Sequence, residues 1–190
     1  MKASWGKPTI LVADLDASTF AWVKVYTPTN GSTQLTTTQG DKAELLAEGG
    51  GVEDTKYTRS KYALQYIIRA LKGRKKPIKD NDGVVKHNYA LLLQPEDPAC
   101  SGLLIQLSNV NVQNTFTAAE GKGWQFTHDA LLLEDETNQV KDGVVTITYG
   151  SDGTTIQKVT FAPEDEEGKS YNNKVYDLTS TVEFKTEVSA

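Results

Sequence analysis

Apolar and polar residues alternate with a period of two along much of this chain, most clearly between Tyr89 and Leu133. Leu91 to Leu93 end one strand-like run, and Pro95 with Pro98 forbids its continuation. From Gly102 the alternation can be counted. Leu103, Ile105 and Leu107 share one face; after Ser108 the phase slips by one residue, and Val110, Val112 and Phe116 carry it on. Such a slip predicts a β-bulge, because one extra residue returns the apolar set to the core face. The opposite face, Asn109, Asn111, Gln113, Thr115 and Thr117, is polar and carries no charge. Glu120-Gly121-Lys122-Gly123 breaks the run, and a third strand starts at Trp124.

The same pattern places the other elements. Thr9 to Leu15 and Phe20 to Tyr26 are short and β-branched, as buried strands are. Asn30-Gly31 predicts a hairpin turn, with Gln34 to Thr38 as the returning strand. Asp41 can cap a helix with Glu44 three residues on, so residues 42 to 48 read as a short helix stopped by Gly49. Within Tyr57 to Leu71, the alternation of Tyr62, Leu64, Tyr66 and Ile68 predicts a strand. A long basic connection, Lys72 to Lys79, leads through Asp82-Gly83 to Val84 and Tyr89. Asp142-Gly143 and Asp152-Gly153 read as turns flanking the strand Val144 to Tyr149. From Val175 to Val188 the alternation predicts one regular strand, with Tyr176, Leu178, Val182, Phe184 and Val188 facing one way. The fold class is therefore all-β, mainly antiparallel: a β-sandwich or barrel-like sheet with one short helix near residues 42 to 48.

Composition narrows the function. A chain of 190 residues normally forms one domain. Its net charge of −5 argues against general attraction to nucleic acid. Cys100 is the single cysteine, so no intramolecular disulfide exists. Asp14 and Asp16 interrupt the apolar core that a signal peptide needs, and no run approaches the ~20 apolar residues of a membrane span. The expectation is a soluble chain, cytoplasmic at synthesis.

Candidate chemistry is thin. His87 and His128 lie in separate runs without a His or Cys at ligand spacing, which speaks against zinc. Cys100 with either histidine would form a nucleophile–base pair, yet no basic neighbour activates it. Asp80-Asn-Asp82-Gly83 starts like a calcium loop, but Leu91 stands where the twelfth-position Glu belongs. Gly49 to Gly51 lack the Lys-Ser/Thr of a phosphate loop and have acidic flanks. The acidic clusters Glu134 to Glu136 and Glu164 to Glu167 read as solvated loops rather than glycosidase carboxylates. The expectation is no enzyme activity, no cofactor and no metal.

The order of parts resembles the tail-tube (major tail) proteins of long-tailed bacteriophages and prophages. A tyrosine-bearing strand from Tyr89 ends in a Pro95-Glu96-Asp97 turn; a glycine-led strand rich in Val and Asn follows from Gly102; then Gly123-Trp124 opens a strand that finishes in Leu131 to Leu133. Upstream, Glu48-Gly-Gly-Gly-Val-Glu53 precedes a Tyr/Ile strand. The resemblance covers residues 1–150 as a tail-tube-like β domain, with 151–190 as a strand-rich extension packed on it. It implies a structural virion protein forming hexameric rings that stack into a hollow tube. The partners would be the chain itself and other tail proteins, with DNA passing through without specific binding and no membrane. The location would be the virion tail, and the host cytoplasm during assembly. On this reading Asn109, Asn111, Gln113, Thr115 and Thr117 border the lumen or a subunit contact. Lys72, Arg74, Lys75, Lys76 and Lys79 would meet acidic loops of the next ring: Glu48 to Asp54, Glu134 to Glu136, or Glu164, Asp165, Glu166 and Glu167. Gly49, Gly50 and Gly51 would form a mobile assembly loop. The alternative is a ligand- or carbohydrate-binding β-sandwich using aromatics such as Trp5 or Tyr171.

Overall fold

The computed structural model describes residues 6–133, 139–164, 174–185 and 187–188. Trp5, Glu134 to Glu136, Asp165 to Glu167 and Tyr171, singled out above, lie outside these. In chain order the strands are β1 (Thr9–Asp14), β2 (Trp22–Lys24), β3 (Gln34–Thr38), β4 (Lys42–Leu46), β5 (Val52–Tyr57), β6 (Lys61–Arg69), β7 (Tyr89–Gln94), β8 (Gly102–Thr117), β9 (Gly121–Ala130), β10 (Lys141–Tyr149), β11 (Ile156–Pro163), β12 (Val175–Asp177) and β13 (Glu187–Val188). The fold is all-β and antiparallel, a curled half-barrel sheet, as the alternation predicts.

β8 holds the molecule together by belonging to two layers. Its first half lies between β7 and β10 in the order β13-β12-β11-β10-β8-β7-β1-β2. Its second half pairs with β9, which pairs with β6, which pairs with β3. The strand changes layer at the expected bulge. Leu91 faces Ile105 while Tyr89 faces Ser108, so β8 inserts one extra residue there. The slip falls between Ile105 and Ser108, slightly earlier than the sequence suggests, and Leu107 leaves the apolar face. Leu103 and Ile105 before the bulge, and Val110 and Val112 after it, then join one core. That core fills the space between the layers, with Leu64, Tyr66 and Ile68 from β6 and Trp124 and Phe126 from β9. A second core lies on the outer side of β1, β7, β10 and β11, where Trp22, Leu178 and Val182 cover Leu92, Leu104 and Phe161.

Several expectations need correction. Residues 42 to 48 form no helix: Lys42–Leu46 is β4, paired with β5 in a separate two-stranded ribbon, and the described residues contain no helix at all. β3 and β6 are paired up to Thr38 and Lys61. The chain between them continues as a ribbon, tied at its base where the Thr58 N–H donates to Asp41 C=O at 2.9 Å. Two turns of helix, costly to nucleate, do not compete with this. Asn30-Gly31 forms a turn, but on a crossover between layers, since β2 pairs with β1 and β3 with β6. Asp142-Gly143 lies inside β10, where a Cβ on Gly143 would come within 2.7 Å of the Phe161 ring and 2.4 Å of Ala162 O. The glycine serves close packing, not a turn. The C-terminal segment is not one strand, because β12 turns back to pair with β13. Leu178 and Val182 still reach the core through the bend between them. Phe116, expected on the apolar face, stands beyond the core and is 77% exposed.

Candidate functional site

The four strands β3, β6, β9 and β8 form a face that sequence periodicity shows only strand by strand. Register aligns Gln34, Gln65, Thr127 and Asn111 in one row across it, and Ile67, Gln125 and Gln113 in the next. Thr36, Ala63, Asp129 and Asn109 form a third row. The five predicted residues are thus brought together as one border of a broader polar plateau, Asn109, Asn111, Gln113 and Thr117 exposed and Thr115 half-buried. Charge sits at its ends: Lys61 and Asp129 at one, the ion pair of Arg69 with Glu120 at the other. Apart from the half-buried Ile67, the middle rows present amides and hydroxyls, which bind neither a phosphate nor a cation strongly.

Among the described residues, this layer has two unpaired edges. β3 pairs with no described strand but β6, leaving five residues open along its other side. On β8, the side away from β9 is occupied by β7 as far as Ser108 and then by the turn at Gly83 and Val84, whose last bond is Val112 N–H to Gly83 O at 3.3 Å. From Gln113 to Thr117 it is open among the described residues. Three successive antiparallel pairings separate the two edges, so they run in opposite directions.

The ribbon β4–β5 projects from the Lys61 end of β6 as an arm, ~17 Å long for its five residue pairs. Its residues are exposed, apart from the half-buried Thr55, with Leu45 62% and Leu46 57% exposed near the tip. Gly49 and Gly50, φ 101° and 90°, make the turn there. Asp41, Glu44, Glu48, Glu53 and Asp54 against Lys42 and Lys56 make the arm acidic. Glu164 lies at the same end of the molecule, its N–H bonded to Asp142 O, near Ser60 at the arm's base.

The predicted basic loop follows Arg69, at the far end of β6 from the arm. It is anchored by Ile78, fully buried in the inner core. Arg74 lies 4.8 Å over the Tyr26 ring, and Lys76 pairs with Asp80 at 2.6 Å. That bond holds the Asp80 carboxyl below its usual range. Lys72, Lys75 and Lys79 remain exposed, without an acidic partner among the described residues. Within one copy the structure therefore separates the basic loop from the arm rather than joining them.

The histidines do different work. His128 is fully buried between Tyr66 and Ser108. Ser108 Oγ donates to Tyr89 O at 2.8 Å, so the 3.1 Å contact between Ser108 Oγ and His128 Nδ1 has the ring nitrogen as donor. Nε2 then accepts from the Tyr66 hydroxyl at 3.1 Å. Each ring nitrogen is satisfied with the imidazole neutral, and burial lowers its pKa to about 3. This serine, histidine and tyrosine chain sits in the closed inner core and serves to hold the β8 bulge. His87 is exposed and pairs with Asp14 at 2.7 Å, which raises its pKa. Cys100 is buried. No group of three His, Cys, Asp or Glu among the described residues is placed to hold a metal.

The chain matches no family model and no curated protein.

Proposed function

We propose that this is a self-assembling structural protein, a tail-tube subunit whose copies join into rings that stack as a hollow tube. The observation that carries this reading is the pair of open edges on the polar layer. The edge of β8 from Gln113 to Thr117 matches β3 in length and runs opposite to it. Placing β8 of one copy against β3 of the next continues an antiparallel ladder by a single rotation. A head-to-tail contact of this kind closes into a ring when its rotation divides a full turn, and closure removes edges that would otherwise aggregate. The polar plateau would then line the inside, where uncharged amides let phosphates pass without the ion-pairing that retains them.

Stacking draws on the two ends of β6. An acidic arm with an apolar tip leaves one end and a basic loop follows the other, so successive rings present opposite charge to each other. An isolated two-stranded ribbon is marginally stable, which fits an arm that gains its packing only from a neighbour. Limited proteolysis is expected to cut the free subunit between Gly49 and Tyr57 and to spare assembled material; equal cleavage in both would place the arm outside the contact.

Charge reversal at Lys72 and Lys75 to Glu tests the stacking half. Exposed pairs contribute about 0–1 kcal/mol each, but every subunit in a ring repeats them. Rings are expected to persist while tubes shorten or vanish. Tube growth followed by light scattering should also weaken as salt rises from about 0.1 to 1 M, where the Debye length falls from about 10 to 3 Å. Growth indifferent to both changes would make the loop a solvated tip.

A further inference from the structure

We propose that Phe116 of one copy inserts into the groove beside Leu35 of its neighbour, locking the lateral joint between subunits. The inference rests on the edge-to-edge reading above and adds to it a side-chain key. A groove of about 920 Å³ runs along the β3 flank, between the two layers, lined among others by Leu35, Leu64, Leu93, Leu103 and Pro95. It continues past Leu35 toward Tyr62 and Gln139. Among the described residues, two buried side-chain polar atoms have no hydrogen-bond partner, Thr29 Oγ1 and Gln139 Oε1, and both residues line this groove or its continuation. Asp142 lines both parts. It has no basic partner among the described residues, and its carboxyl pKa is raised by burial and by the charge of Glu164. Among the described residues, this flank thus offers unfilled apolar volume, unused hydrogen-bonding capacity and a carboxyl without an ion pair, with Lys7 and Arg59 elsewhere on the groove wall.

The opposite flank carries the complement. Phe116 is the most exposed large apolar side chain among the described residues, at 77%. It shares the phase of Val110 and Val112, so it points to the core side of its layer, beyond the point where the core ends. Lys122, in register with it on β9, faces the same way, in phase with Trp124 and Phe126. On β3, Leu35 stands opposite Leu64, also on the core side. Continuing the sheet from β8 onto the neighbour's β3 therefore puts Phe116 on the side where Leu35 borders the groove. Lys122 follows it toward Asp142, an acid that gains from a cation. The occupant is a second copy of this chain because apolar shape, charge and strand direction agree on the same joint.

The test uses the full chain with the photo-crosslinking residue p-benzoylphenylalanine at position 116, irradiated where the unmodified protein assembles and mapped by mass spectrometry. Cross-links should reach peptides holding Leu35, Leu64 or Leu103 of a second copy. In parallel, Phe116→Ala, whose own fold is checked by its melting curve, should weaken the association constant for ring formation roughly ten- to a hundredfold, the loss expected for one buried aromatic. Phe116→Leu should recover most of it. Cross-links to a different surface of a second copy, or none between copies, overturn the inference. Micrographs of the unmodified protein decide the edge-to-edge reading separately: rings there with misplaced cross-links at position 116 leave that reading standing, whereas absence of rings from the unmodified protein removes both.

Discussion

Asn114→Pro is expected to abolish ring and tube formation while leaving the subunit folded. Backbone direction on β8 alternates, and Val112 N–H points away from β9 toward Gly83 O. Asn114, two residues on, points its N–H to the same side, where no described strand is paired. Proline there removes a donor that the free subunit does not use, and edge positions tolerate it. The subunit should lose at most about 1 kcal/mol, a shift of about 2–4 °C in melting temperature for a chain of this size. In an assembly the same ring faces the partner strand, deletes a ladder bond and holds the strands apart. A second change tests the same layer from its face: Asn111→Lys with Gln113→Lys puts two cations per copy on the plateau and should impair assembly or DNA passage while the subunit melts normally. Unaltered tubes from Asn114→Pro would show that this edge is not the joint.

The other large effect concerns the core. Replacing His128 by alanine is expected to destabilise the subunit by about 3–4 kcal/mol, combining a cavity with a Tyr66 hydroxyl left buried and unpartnered. Removing that hydroxyl as well, in Tyr66→Phe with His128→Phe, should recover part of the loss against His128→Phe alone. The pH dependence has a definite sign. With a folded pKa of about 3 against an ordinary 6.5, the unfolded chain takes up the proton first. Stability therefore begins to fall as pH drops below about 6.5 and the loss is complete near 3, at most about 4–5 kcal/mol. The carboxyls of Asp80 and Asp177, held low by hydrogen bonds from Lys76 and Thr179, add their losses only below about pH 4. His87 acts in the opposite sense, its pairing with Asp14 favouring the fold below its raised pKa. Denaturant titrations between pH 7 and 4.5 in a His87→Gln background remove this opposing contribution, and a flat profile there would contradict the buried neutral ring of His128.

The sequence carried much of this fold because most strands are covered on one face, so that phase reports burial. Leu64, Tyr66 and Ile68 were readable on that ground, as was the slip in Gly102–Thr117, since an apolar set cannot cross a sheet without an extra residue. The role of His128 was legible by the same rule and missed: it keeps phase with Trp124 and Phe126, and Ser108 keeps phase with Val110. What phase cannot report is pairing. Capping residues at Asp41 and Glu44 suit a helix locally, yet β3 and β6 flank the segment and extend it as a ribbon. Asp142-Gly143 has turn chemistry, but the Phe161 ring needs the missing side chain. The alternation from Val175 onward marked the buried residues correctly while the chain bent between them. The polar row on β8 was visible, but the plateau it borders depends on the register of three other strands, and the open edges depend on which strands are absent beside them.

Electron microscopy of the purified chain, concentrated at low salt, tests head-to-tail assembly through these edges. The expected images are rings and hollow tubes, with a continuous antiparallel sheet around the lumen in which β8 of each copy abuts β3 of the next. A protein that stays monomeric at every concentration, or assembles with β3 and the Gln113–Thr117 edge both exposed, would contradict it.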